Sequence, residues 1–263
     1  MNARTPGIRL IAALIATALL ASFARAEIPE IAAARAKERK SFTDAEIFEG
    51  FFKTAFGAEL RLVASADRIR KYHVPVRVYV DNRARPDRSA QVASVVADIR
   101  SRVANLDIAV TADRNGANVE VRLIRDRDFA RTLRQSYGRD RARRIQKSLE
   151  PQCLSGFRKD AGFRIVHSDV FLVVDAGDFI FYDCAYEELL QSLGPINDTD
   201  VPWTMFNDDV QMGFFGLYDQ YILNILYHPR IRAGMTAAEV RAILPEIMPE
   251  VRAFVARVNN LNQ

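Results

Sequence analysis

The residues best suited to chemistry lie between Tyr182 and Asp198. Glu187 and Gln191 stand four residues apart, so a helix places them on one face. Glu188 sits beside them, Gly194 ends the predicted helix, and Asn197 and Asp198 follow after a turn. Glu187, Glu188, Gln191, Asn197 and Asp198 are the candidate binding residues, by virtue of their side-chain oxygens. Zinc takes His nitrogen, Cys sulfur or carboxylate oxygen. The amide oxygens of Gln191 and Asn197 are poor zinc ligands, so zinc is not expected. The all-oxygen set, extended by Asp200, suits calcium or another hard cation better. Asn and Asp are also ordinary turn residues that bond their own backbone, which is the competing structural reading. A buried carboxylate pair is costly without a positive neighbour. A cation, or an Arg from the segment 122–147, is therefore expected near Glu187 and Glu188.

Other sources of chemistry are thin. The three histidines, His73, His167 and His228, are scattered, and neither a Ser-His-Asp arrangement nor a phosphate-binding glycine loop can be assembled. Arg4 and Arg9 followed by the apolar run from Leu10 to Leu20 and by Ala24-Arg25-Ala26 read as a secretory signal over 1–26. The run is too short for a transmembrane span, and no later stretch is long enough for one. A periplasmic or secreted protein is expected, with an envelope protein or peptide as partner. The formal charge of +4 falls to +1 without Arg4, Arg9 and Arg25, so global basicity gives no support for nucleic-acid binding. From Ile165 to Gln220 there are acids but no Lys or Arg, whereas 122–147 is dense in Arg. Such opposite fields attract each other or opposite ligands, or are simply solvated faces. Cys153 and Cys184 are the only cysteines, and an oxidising compartment predicts one disulfide between them.

The elements that must position these residues follow from pattern. Residues 27–41 lack a clear apolar stripe and read as a flexible leader. Phe42-Thr43-Asp44-Ala45-Glu46 carries a capping box and staple, opening a helix to about Phe56 that stops at Gly57. Val74 to Asp81 alternates strictly and reads as a strand. Asp87 to Leu106 has helical apolar spacing. Ile108 to Thr111 is a short strand, Asn115-Gly116 signals a hairpin, and Val119 to Ile124 is the returning strand. An Arg-rich helical insertion spans about 126–150, broken near Gly138. Cys153 to Gly162 reads as a loop, with two short strands at 163–166 and 170–175. Leu217 to Tyr227 is an apolar helix. Thr236 with Glu239 opens the last helix, which Pro245 and Pro249 are expected to kink or split.

The spacing Glu187-Glu188-x-x-Gln191-x-x-Gly194-x-x-Asn197 resembles the extended motif of metzincin-type zinc peptidases, with every histidine replaced. The resemblance implies an α/β (α+β) fold, zincin-like, in which a twisted sheet backs the active-site helix. Trp203-Thr204-Met205-Phe206-Asn207 is similar in placement to the methionine turn of that fold. Over about 42–236 the chain also resembles an uncharacterised exported proteobacterial family, domain of unknown function 2927. The blocks that carry this are Gly50 to Gly57, Arg68 to Tyr72, Glu187-Glu188 with Gln191, Leu193-Gly194, Asn197-Asp198, Phe206 to Asp208 and Ile225 to Pro229. That resemblance implies export and no established activity. The expected protein is a single domain over 42–263, a non-catalytic pseudo-peptidase that binds in the envelope. The alternative is a divergent metal-dependent hydrolase using Glu188 as its base.

Overall fold

The computed structural model describes residues 27–56, 68–149, 153–207 and 209–261. The signal at 1–26 and the helix stop at Gly57 lie outside the described residues. In chain order the elements are α1 (Pro29–Lys37), α2 (Asp44–Ala55), β1 (Val76–Asn82), α3 (Ser89–Arg102), β2 (Ile108–Val110), β3 (Val119–Ile124), α4 (Asp126–Tyr137), α5 (Arg139–Leu149), β4 (Cys153–Lys159), β5 (Ile165–Val173), α6 (Asp178–Ser192), α7 (Leu217–Leu226) and α8 (Ala237–Val258). The five strands form one sheet in the order β2-β1-β3-β5-β4. All neighbours are parallel except β4, which runs antiparallel to β5 at one edge. The chain is thus a mixed α/β protein.

Alternation along the strands sorts the two faces. Val119, Val121 and Leu123 of β3 join the main core, together with Val170 and Leu172 of β5. Helices α3 and α6 pack on this side, with α2, α7 and α8 beyond them. On the other face Ile124, Leu154, Phe171 and Val173 form a second cluster with Phe129 and Leu133 of α4 and Ala142 and Ile145 of α5. The Arg-rich insertion is therefore a helical hairpin laid across the back of the sheet. Gly138, at φ +77°, makes its turn, a conformation that costs glycine little.

Both capping boxes form: Thr43 and Glu46 open α2, and Thr236 and Glu239 open α8. Four local expectations are corrected. Asn115-Gly116 does not join a hairpin, because β2 and β3 flank β1 on opposite sides. Val110 and Val119 are both registered beside Val78, so the chain crosses over one strand instead of folding back on itself. The segment after Cys153 is edge strand β4, not a loop. The two strands read around His167-Ser168-Asp169 are one strand, β5. Ser168 is sealed inside it by bonds with Tyr72 Oη (2.7 Å) and the Ser192 carbonyl (2.9 Å). Finally, Pro245 and Pro249 do not split α8, which is one helix over Ala237–Val258. Both prolines lie on its exposed side, where the displaced carbonyls face water.

The leader segment carries α1, whose Ile31 is buried against Gly213 and Phe179. The Glu38 carboxylate accepts the Leu217 N–H at 2.6 Å and so caps α7.

Candidate functional site

Helix α6 is bonded to β4 at two points, Cys184 and Gln191, with Glu188 between them. Cys184 is disulfide-bonded to Cys153, with Cα atoms 5.8 Å apart. Glu188, one turn on, is buried. Gln191, one further turn on, is also buried and uses both ends of its amide. Its Oε1 accepts from Ser155 Oγ of β4 at 3.3 Å, and its Nε2 donates to Asp198 Oδ1 at 3.1 Å. Glu187 is half-buried beside them.

The turn after α6 is held tightly. Gly194 has φ +143°, and a Cβ there would stand 2.4 Å from the Arg70 carbonyl oxygen. Only glycine fits that approach. The chain then reaches Asn197, whose backbone N–H donates to the Thr54 carbonyl at 3.3 Å. Its side-chain amide donates to the Lys53 carbonyl at 2.8 Å and the Asp198 carbonyl at 3.1 Å. The structure thus brings Gln191, Asn197 and Asp198 together at the end of α2. It sends Asp200 elsewhere, to an exposed ion pair with Lys53 at 2.8 Å that lowers the Asp200 carboxyl below its ordinary range.

Gln191 and Asn197 are braces in this geometry, since their amide protons are committed to carbonyl and carboxylate oxygens. Among the described residues no group of three or more His, Cys, Asp or Glu is arranged to hold a metal ion. Two of the three histidines are engaged apart: His167 lies 3.6 Å from Asp169, and His228 Nε2 lies 3.2 Å from Glu250. A neutral amide that already accepts a hydrogen bond, with no histidine beside it, does not fit zinc.

Three contributors escaped the sequence reading. Arg70 is buried, donates to the Ala55 carbonyl at 3.1 Å and stands 5.5 Å from the Phe157 ring. Burial lowers its guanidinium to about 10. Its only signal was the basic block Arg68 to Lys71. Tyr137 of the hairpin lies against Gly156 of β4, with Arg141 over its ring at 4.8 Å. Burial raises its hydroxyl first, and the negative charge of Asp169 adds to that. Arg141 and Arg122 oppose the rise, and Glu188 reinforces it. Asp219, at the start of α7, accepts from Thr204 Oγ1 and from the Met205 N–H at 3.2 Å. It holds the loop of Trp203 to Asn207 from below.

Comparison with known proteins places this geometry in a family. No curated protein and no solved structure matches the chain. A family model described as "Protein of unknown function (DUF2927)" matches residues 44–246. The chain belongs to that family, whose matched span contains Arg70, β4 and the whole α6 site.

Proposed function

We propose that this chain is an exported, non-catalytic binding protein of the cell envelope, on a zincin-like scaffold whose metal position has become a hydrogen-bonded brace. The observation that carries the reading is the Gln191 amide, bonded at one end to Ser155 and at the other to Asp198. It occupies the motif position where a peptidase would need a free ligand. The helix–glycine–turn spacing supports the scaffold, and the pattern of residues 1–26 supports export. In this reading Glu188 is a structural carboxylate at the β4 side of α6, and the surface above it binds an envelope protein or peptide.

The test uses the chain from Glu27 onward, exposed to zinc, calcium and manganese, gel-filtered and analysed for metal. Peptide hydrolysis is assayed for wild type and Glu188→Gln. The expected result is no stoichiometric zinc and no turnover that depends on Glu188. Stoichiometric zinc lost in Gln191→Ala would revive the hydrolase with Glu188 as base. So would turnover abolished by Glu188→Gln at unchanged stability. Calcium retained by wild type and lost in Asp198→Asn would instead assign a hard-cation site. Export is checked separately by the mass of the protein recovered from fractionated cells. A chain still carrying residues 1–26 in the cytosolic fraction refutes it.

A further inference from the structure

The α4–α5 hairpin turns its apolar residues inward and leaves an arginine face outside. Phe129, Leu133, Ala142 and Ile145 close on the sheet. Arg134, Arg139, Arg141, Arg143 and Arg144 are all exposed. None of these five is paired with a carboxylate among the described residues, whereas Arg131 on the same hairpin is held by Asp128 at 2.7 Å. Several acids of the second half are already engaged within the chain. Asp169 is tied to Arg122, Asp178 to Arg88, and Asp183 to the N–H groups of Met212 and Gly213. Asp200 is tied to Lys53.

Beside the turn of the hairpin an open cavity of about 370 Å³ is lined by Ser136, Tyr137, Arg141, Phe157, Arg158 and Asp169. Arg158, like Arg141, has no carboxylate partner among the described residues. Asp169 is the one acid in the lining, and Arg122 at 3.1 Å and His167 at 3.6 Å offset it. Planar guanidinium forks suit phosphate oxygens. Among the described residues no large apolar side chain is exposed on the hairpin, so contact would be with headgroups, without insertion into the acyl region.

We propose that the α4–α5 hairpin docks the protein on the surface of an anionic phospholipid bilayer, with a lipid phosphate held in the cavity of Arg141 and Arg158. The export reading decides only which membrane is met. Binding itself is a property of the purified chain, so the two ideas fail separately.

The experiment is co-sedimentation of the chain from Glu27 onward with phosphatidylglycerol-containing vesicles and with pure phosphatidylcholine vesicles. Sodium chloride is varied from about 50 to about 300 mM, across which surface charges become screened. Binding is expected only to the anionic vesicles and is expected to weaken with salt. Arg141→Ala/Arg158→Ala should weaken it about 25-fold, at about fivefold for each arginine near the surface. Arg139→Glu/Arg143→Glu, at exposed positions that leave the fold intact by circular dichroism, should weaken it at least as much. Equal binding to phosphatidylcholine, or wild-type binding by both variants, overturns the proposal. Competition by millimolar inorganic phosphate would make this a soluble-phosphate site. Tighter binding to double-stranded DNA than to vesicles would make it a nucleic-acid surface.

Discussion

Asp219 should make the stability of this protein fall as pH rises through the neutral range. Its side chain is fully buried at the first turn of α7. Burial pushes its carboxyl from an ordinary value of 3.8 up to about 7, against the lowering effect of the Thr204 and Met205 hydrogen bonds, and nearby Glu38 adds to the rise. Between those two values the folded chain holds a proton that the unfolded chain has lost, so unfolding free energy decreases with pH. The contribution is complete below about 4 and is lost as pH passes about 7. At 1.36 kcal/mol per pH unit, the span amounts to on the order of 4 kcal/mol. Asp219→Asn keeps the shape and one acceptor oxygen but does not titrate. Urea unfolding of both proteins at steps from pH 4 to pH 8 isolates the effect, because every other titrating group is common to the pair and cancels. The wild type should lose stability relative to the variant across the window, with most of the change between pH 5 and 7. A difference that is flat with pH, or that changes in the opposite direction, refutes the reasoning.

Other perturbations have equally direct readouts. Gly50→Ala gains about 1 kcal/mol of helix propensity, yet its Cβ would fall 2.2 Å from Tyr218 Oη and 2.6 Å from Cε1. Overpacking of about 1–3 kcal/mol should win, and a melting temperature that stays level or rises would contradict this. Replacing Cys153 and Cys184 by Ser opens a loop of 31 residues and should cost about 3–4 kcal/mol on the chain-entropy account, read as a lower denaturant midpoint with a slope no shallower than the wild type's, because the unfolded chain expands. Lys71 donates to the carbonyls of Leu226 and Ile231 at the end of α7, and burial lowers its ammonium to about 8. The unfolded chain then binds more protons between about pH 8 and 10.5, so stability should rise with pH there. Lys71→Met should remove that rise, and a variant with the wild-type slope would rule out the assignment.

What could be read from the sequence was what is encoded locally. The two capping boxes, the alternation of β1, the break at Gly138, the cysteine pair and the helix ending at Gly194 each rest on neighbouring residues. What could not be read depends on partners distant in the chain. Ser168 and Asp169 look like turn residues until Tyr72, Ser192 and Arg122 are known to satisfy them inside β5. Ser155 and Gly156 look like a loop because an edge strand needs only one hydrogen-bonded neighbour. Gln191 stands out in the sequence, but whether it is a ligand or a brace depends on Ser155, 36 residues away. Asp219 carried no local pattern and Arg70 only its basic neighbours, since their roles come from burial and from partners elsewhere in the chain.

The Glu38 cap on α7 lies outside the stretch that defines the family, which begins at residue 44. At the other end, the family boundary at residue 246 cuts α8 between Pro245 and Pro249. A fragment trimmed to the family span would bare the Leu217 N–H, lose the Arg35 side chain that lies 4.2 Å from the Phe214 ring, and end inside a helix whose Val251 and Val255 are core residues. The family span is therefore shorter than the packed unit, and a protein cut for expression or domain exchange should run from Glu27 to at least Leu261.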